Sequence, residues 1–372
     1  MHQKMKVAII GCGMICDVYF KNLSEFYGVE LIGCSDIRDE RAKEKAEVYG
    51  VRHMTNEEIF ADPSIEMVVN LTYPTSHYEV AKAALLAGKH VYTEKMMVGT
   101  LEQANELVAL AEEKGLFCGG APDTYLGASV QLARQLLDSG IIGTPTMAEI
   151  FLSRDYRHER WNTSPYKRFA FCPYGGIPFD MGAYYLTVLV FLLGRVERVC
   201  GMADIREPHR TFRHPDSPLY GQEMLVESYN RAAGTLQFEN GVMGSFVMTS
   251  EGGAGRDSFV IHGTDGYIDL GDPNCYNKTV TIKNKEGQES VIASPFAFGG
   301  KDFRGIGVLE AAYALSRGET PRCNGHLCRH VLETALGICE NGGALYEMTT
   351  DSGRPAPLPV GFTENFELLF QP

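Results

Sequence analysis

The chain has 372 residues, of which 44% are hydrophobic and 22% charged, and its formal net charge at pH 7 is −13. That length accommodates two ordinary domains, and the composition is that of a folded chain rather than a disordered one. The acidic balance excludes nucleic acid and an anionic membrane surface as main partners, because neither attracts negative charge.

After "MHQKMK" comes "VAIIG", too short an apolar stretch for a secretory signal. From there to about residue 120 the chain alternates apolar strands with helices. "KVAII" reads as a strand and "GCGMICDVYFKNLSEF" as a helix. "VELIGCSD" is a second strand, followed by a charged helix that stops at Gly50. "MVVNLT" is a third strand, and "SHYEVAKAALLAG" a helix with a capping box from Ser76 to Glu79. "KHVYTE", a helix capped by Thr100 and Gln103 and ended at Gly115, and "LFCGGA" complete the series. Strands that are apolar throughout and separated by helices predict a parallel sheet covered on both faces.

The first strand-to-helix turn, "GCGMIC", is the context of a dinucleotide fingerprint. Gly11 allows the tight turn and Gly13 lets the backbone approach a pyrophosphate, with Met14 and Ile15 opening the helix. Cys16 stands at the third, packing position of the motif. Asp36, at the end of the second strand, is placed to hold the adenosine ribose hydroxyls, with Ile37 and Arg38 beside it. A carboxylate there repels a 2′-phosphate, so the expected cofactor is NAD.

After Pro122 the pattern changes. A helix "GASVQLARQLLDSG" and a strand "TMAEIFLS" lead into a loop rich in Arg, His and Tyr that holds Trp161, the only tryptophan. Arg154, His158 and Trp161 are its candidate substrate contacts, since a flat aromatic among polar groups suits a sugar face. Asp123 and Thr124, just past the last strand of the series, are also within reach of a cleft. "GGIPFDMGAYYLTVLVFLLG" follows, and its apolar run from Tyr184 to Leu193 is too short for a bilayer, which takes about 20 residues. Asp180 and Tyr184 lie one helical turn apart, either as cap and packing residue or as two groups facing a substrate.

Hairpin turns at Asn240-Gly241, at Asp265-Gly266 and near Gly287 predict a large antiparallel sheet with one apolar face. Two further helices and a proline-rich extended end complete the chain. Domains are expected at 1–122 and 123–372. Ten scattered cysteines form no C-x-x-C pair, which predicts reduced thiols and a cytoplasmic protein. The cluster Cys323, His326, Cys328 and His330 matches no familiar zinc spacing and reads as a helix start, so no metal is expected.

"TYPTSHYEVAKAALLAGKHVYTEK" resembles the T-P-N-x-x-H…A-L-x-A-G-K-H-V-x-x-E-K-P signature of the Gfo/Idh/MocA oxidoreductases, and the resemblance extends over nearly the whole chain. It implies an α/β protein with an N-terminal Rossmann domain and a C-terminal α+β domain whose large, mainly antiparallel open sheet pairs between subunits of a homo-oligomer. By the same resemblance Lys95 contacts the reacting hydroxyl and Asp180 matches the aspartate of the D-x-x-x-H motif. Thr72, Tyr73, Pro74, His77, Glu94 and Lys95 would surround the nicotinamide half of the cofactor. Met96 and Tyr73 replace family prolines, and Tyr184 takes the place of the motif histidine, as in some other members.

The resemblance implies hydride transfer between NAD and a ring secondary hydroxyl of a sugar, a glycoside (including its 3-position) or a cyclitol, with Lys95, Asp180 and Tyr184 as the catalytic set. An isolated phenol ionises near about pH 10. Tyr184 therefore serves as base only if the Lys95 ammonium is closer to it than the Asp180 carboxylate is. Otherwise neutral Lys95 is the base and Tyr184 donates a hydrogen bond. Two other classes stay open: a glycosidase that oxidises its substrate transiently with bound NAD, and a non-catalytic sugar sensor.

Overall fold

The computed structural model describes residues 4–155, 170–213, 215–359 and 361–363. Six short strands form the first sheet: β1 (Met5–Ile10), β2 (Val29–Ser35), β3 (Arg52–His53), β4 (Met67–Asn70), β5 (His90–Thr93) and β6 (Cys118–Gly120). All pair in parallel, in the order β3-β2-β1-β4-β5-β6. The order reverses direction beside β1, so the loops leaving β1 and β4 flank a crevice at the carboxyl ends of the strands, where such sheets bind ligands.

Local chemistry sets most of the boundaries. Gly50 and Gly115 end their helices in the left-handed conformation, and the Thr100 side chain accepts the Gln103 amide. One expected cap is absent. The chain enters the helix His77–Leu86 through a 3₁₀ turn, Pro74–Ser76, so the Ser76 backbone is already near-helical and its side chain caps nothing. A capping box does form at a segment the sequence reading passed over. Thr55 and Glu58 bond reciprocally at the start of the helix Asn56–Ala61, just after the two-residue strand β3.

Among the described residues the second sheet has nine strands. In chain order they are β7 (Pro145–Asp155), β8 (Val196–Asp204), β11 (Arg231–Phe238), β12 (Met243–Thr249), β13 (Glu251–Gly263), β14 (Gly266–Asp269), β15 (Val280–Asn284), β16 (Glu289–Ile292) and β17 (Leu345–Glu347). Two short strands, β9 (His209–Thr211) and β10 (Glu223–Leu225), pair separately. The sheet order is β16-β15-β14-β13-β7-β12-β11-β8-β17. All three predicted hairpins are present. The first strand of the sheet, β7, inserts between β12 and β13 and runs parallel to β12, which makes the sheet mixed rather than purely antiparallel.

One face of this sheet is apolar and buried, carrying Ile150, Leu152, Phe246, Phe259 and Ile261. Against it lie the helices Gly182–Leu193, buried along its whole length, and Gly325–Glu340. The latter helix also reaches back to the first sheet, where Cys323 accepts the Gly120 amide beside β6. The chain thus recrosses the 1–122 boundary, and one apolar core spans both sheets. Among the described residues no helix is long and apolar enough to cross a membrane.

Candidate functional site

The nucleotide end is built on the turn after β1. Gly11 has φ +105°, and a Cβ there would sit 2.6 Å from the Leu71 carbonyl carbon, so no other residue fits. Around Gly13 the space a Cβ would take is open to 4 Å, which leaves the backbone approachable ahead of the helix Cys16–Glu25. Asp36 follows β2, and its carboxylate accepts the Cys12 amide at 2.6 Å and the Arg38 amide at 2.8 Å. Those bonds fix its direction, and a carboxylate keeps further lone pairs for ribose hydroxyls. Met14 is half-exposed and Ile37 wholly exposed, apolar surfaces at the rim of the same crevice. The donor set and the open glycine fit a dinucleotide.

Next come the loops after β4 and β5. Thr72 donates its hydroxyl to Asn70 at 2.7 Å, Tyr73 is exposed, and Pro74 is half-buried. His77 is buried, with Nδ1 2.8 Å from the Met96 carbonyl and Nε2 3.0 Å from the Thr72 carbonyl. Burial pushes its imidazole below the ordinary value, against the pull of the two carbonyls. His77 therefore ties the two loops together rather than facing the crevice. Glu94 is buried and accepts the Tyr19 hydroxyl at 2.6 Å. Burial raises its carboxyl, but Lys95, the Tyr19 bond and Arg304 more than reverse this, so it stays ionised. The Lys95–Met96 and Ala121–Pro122 peptide bonds are cis.

Lys95 meets the other domain here. Its Nζ lies 3.0 Å from Asp180 Oδ1, 3.9 Å from Glu94 Oε2 and 5.3 Å from the centre of the Tyr184 ring. Burial works against the ammonium, but Asp180, Tyr184 and Glu94 outweigh it and hold Lys95 protonated. Asp180 ends the turn Ile177–Asp180, and no side chain caps the helix Gly182–Leu193 that follows, so Asp180 pairs with Lys95 instead of capping. Tyr184 is 4% exposed and its hydroxyl accepts a hydrogen bond from Arg304 Nη2 at 3.3 Å. Arg304 also donates to Asn274 and pairs with Asp302.

Arg304 and Asn274 escaped the sequence reading. The only local signal is a lone arginine before a glycine at a helix start, and nothing in the spacing links it to a tyrosine 120 positions away. Asp123, expected at the cleft, is buried. It accepts the Tyr276 hydroxyl at 2.8 Å and the Gly305 and Gly307 amides at 2.9 and 3.0 Å, so it secures the segment that carries Arg304. Thr124 is buried beside it. Arg154, on β7, pairs with Asp272 at 2.8 Å and Asp257 at 3.5 Å. His158 and Trp161 lie outside the described residues.

The cysteines and histidines near residue 326 diverge. Cys323 contacts the Tyr125 hydroxyl, and Cys328 contacts the Gly120 carbonyl. His326 reaches Glu112, while His330 Nε2 accepts the Val196 amide.

Residues 5–120 match the profile described as "Oxidoreductase family, NAD-binding Rossmann fold", and residues 130–269 match that of the GFO/IDH/MocA C-terminal domain. Among curated proteins the chain is 33% identical to the uncharacterized oxidoreductase YhhX of Escherichia coli over 172 residues, 46% of this chain and 47% of that protein. It is 27% identical to the 1,5-anhydro-D-fructose reductase of Ensifer adhaerens over 249 residues, 64% of this chain and 67% of the reductase. With YhhX, then, the match spans about half of the relative's length. A levoglucosan dehydrogenase solved with NADH and L-sorbose shares the fold, with a TM-score of 0.80 over 94% of this chain and 100% of that one, at 19% identity. Family profiles of both halves match in order over more than half of the chain, on a sheet whose crevice fits the cofactor: the protein belongs to the GFO/IDH/MocA oxidoreductases and carries their NAD-binding Rossmann domain.

Proposed function

We propose that the protein is an NAD-dependent dehydrogenase that acts on a ring secondary hydroxyl of a sugar, glycoside or cyclitol, with the 3-position of a glycoside among the candidates. The observation that carries this reading is the Lys95–Asp180 pair. It joins the carboxyl end of a Rossmann strand to the second domain, with the Tyr184 hydroxyl alongside. Oxidising a secondary alcohol builds negative charge on its oxygen and releases a proton. Bound NAD supplies the hydride acceptor. Lys95, kept cationic by its neighbours, is suited to stabilise the charged oxygen. A protonated lysine is a poor base, which leaves Tyr184 to exchange the proton. Asp180 keeps the ammonium aimed. Support for the substrate class comes from the relatives with named activities, which include a 1,5-anhydro-D-fructose reductase, a D-xylose dehydrogenase and a scyllo-inositol 2-dehydrogenase (NADP(+)).

The test is to supply the purified protein with NAD and a panel of monosaccharides, glycosides and cyclitols and to follow NADH absorbance. Net NADH with members of this panel is the expected result. Glycoside cleavage without net NADH would replace this reading with the transient-oxidation glycosidase.

The second sheet supports a further part of the proposal, a homo-oligomer. Its face away from the helices carries Met147, Met243, Met202, Val291 and Leu345, each about half exposed or more. The pairing Met243↔Met147 puts two of these side by side at one end of the two middle strands. These apolar side chains, interspersed on the same face with Glu149, Arg198 and Glu347, suit contact with a second copy of the chain.

A further inference from the structure

Tyr184 sits on a helix of the second domain, yet the guanidinium that touches its hydroxyl is fastened to the first. The Asn22 side chain, on the helix that follows the glycine turn, donates to the Asp302 carbonyl at 3.0 Å and to the Arg304 carbonyl at 2.8 Å. The next amide, Gly305 N, donates to Asp123. Gly305 has φ +98°, a conformation that favours glycine, and its Cα packs close to Leu23, where an added Cβ would lie 3.3 Å away. Lys301 adds an ion pair to Glu25 on the same helix. Arg304 is therefore clamped on both sides of its own peptide unit before its side chain reaches out.

Its head group is mostly buried, 13% exposed, and held by Asp302 and Asn274. Burial works against the charge, and Tyr184, Tyr276 and Asp302 sustain it. Nη2, which also donates to Asn274, meets the Tyr184 oxygen from one side while the Lys95 ammonium lies over the ring. A fixed donor of this kind holds the phenolic oxygen in one place and orients its proton for transfer.

We propose that Arg304 is a positioning residue for the reaction, acting through the Tyr184 hydroxyl and held in register with the dinucleotide domain by Asn22, while Asp123 secures the amide that follows it. The inference rests on the dehydrogenase reading above, in which Tyr184 exchanges the proton. A residue that acts only through that oxygen has no further effect once the oxygen is gone.

The test is a double-mutant cycle of Arg304→Met and Tyr184→Phe, read as turnover with NAD and a sugar that the wild type oxidises. Binding of NADH, followed by fluorescence, checks each variant. Arg304→Met is expected to lower turnover by about 10- to 100-fold, the size of one charge-assisted hydrogen bond. The Michaelis constant and NADH affinity should stay within about twofold, because in this reading Arg304 acts through the Tyr184 hydroxyl and not on the substrate or the cofactor. Arg304→Lys should recover part of the turnover. In the Tyr184→Phe background Arg304→Met should change nothing further. An equal loss in both backgrounds overturns the proposal, as does wild-type turnover in Arg304→Met. If Arg304→Met does not fold, the cycle is run with Arg304→Lys and the same outcomes decide. A wild-type protein that binds NADH yet oxidises nothing in the panel removes the dehydrogenase reading, and this inference falls with it.

Discussion

Lys95 shows how little of a side chain's role resides in its own chemistry. A buried lysine alone loses its charge to desolvation, but here three neighbours reverse that and keep the ammonium. Lys95→Ala is expected to leave NAD affinity nearly unchanged, since the glycine turn and Asp36 are remote from it. Turnover should fall by about 10²-fold or more, because the lost charge acts on charge that develops in the reaction. Calorimetry and initial rates check the two halves, and unchanged turnover would remove Lys95 from the site. Tyr184→Phe keeps the ring and deletes one oxygen. If that oxygen exchanges the proton, turnover drops about 10²- to 10⁴-fold in a folded, NAD-binding protein; wild-type rates would reduce Tyr184 to packing. Asp36 is expected to set the cofactor preference. Titration should give tighter binding of NAD than of NADP, and the reverse order would make Arg38 a phosphate contact.

At the scale of the element, the helix Gly325–Glu340 carries a test of stability against pH. His330 is fully buried on it, accepts the Val196 amide through Nε2 and meets the Thr350 hydroxyl, 2.9 Å away, through Nδ1. An imidazole that accepts a backbone amide must be neutral. Burial lowers its pKa to about 4, outweighing Glu333 and Asp351, which pull it upward. In the unfolded chain histidine titrates near about 6.5. Between those values the unfolded state binds the extra proton, so stability falls as pH drops through the window. The slope from this one group reaches at most about 1.4 kcal/mol per pH unit. Urea unfolding at pH 7 and pH 5 should show a smaller loss in His330→Gln than in the wild type. Equal losses would mean that His330 is not the titrating group. The helix itself was readable in advance, as were the helices ended at Gly50 and Gly115 and all three hairpins, because caps and turns act within a few residues. The Ser76 box failed for an equally local reason: Pro74 starts a 3₁₀ turn and carries the backbone past the cap geometry.

For the whole molecule, the second sheet presents a face away from its helices on which Met147, Met202, Met243, Val291 and Leu345 are exposed. Met243→Lys places a charge on this face at one end of its middle strands, beside Met147. Light scattering at micromolar concentration is expected to give an oligomer for the wild type and a smaller species for Met243→Lys, with NAD binding kept in both. A wild-type monomer would count against the sheet as an interface.

The Rossmann half could be read from the sequence because its signals are local. Apolar strands, glycine stops and a G-x-G turn followed by an acid at the next strand end each depend on neighbours in the chain. Candidate groups such as Lys95, Asp180 and Tyr184 could be named by resemblance, but their partners could not. Lys95 and Asp180 meet across 85 positions, and Arg304 reaches Tyr184 across 120. Asp123 turned inward to hold Gly305, and His77 became a clamp between two carbonyls, outcomes that no periodicity encodes. The strand β7 lies in the middle of its sheet although it comes first in the chain. Such pairings exist only after the chain has returned on itself, and burial then decides whether a carboxylate, an imidazole or an ammonium faces a ligand or the protein's own backbone.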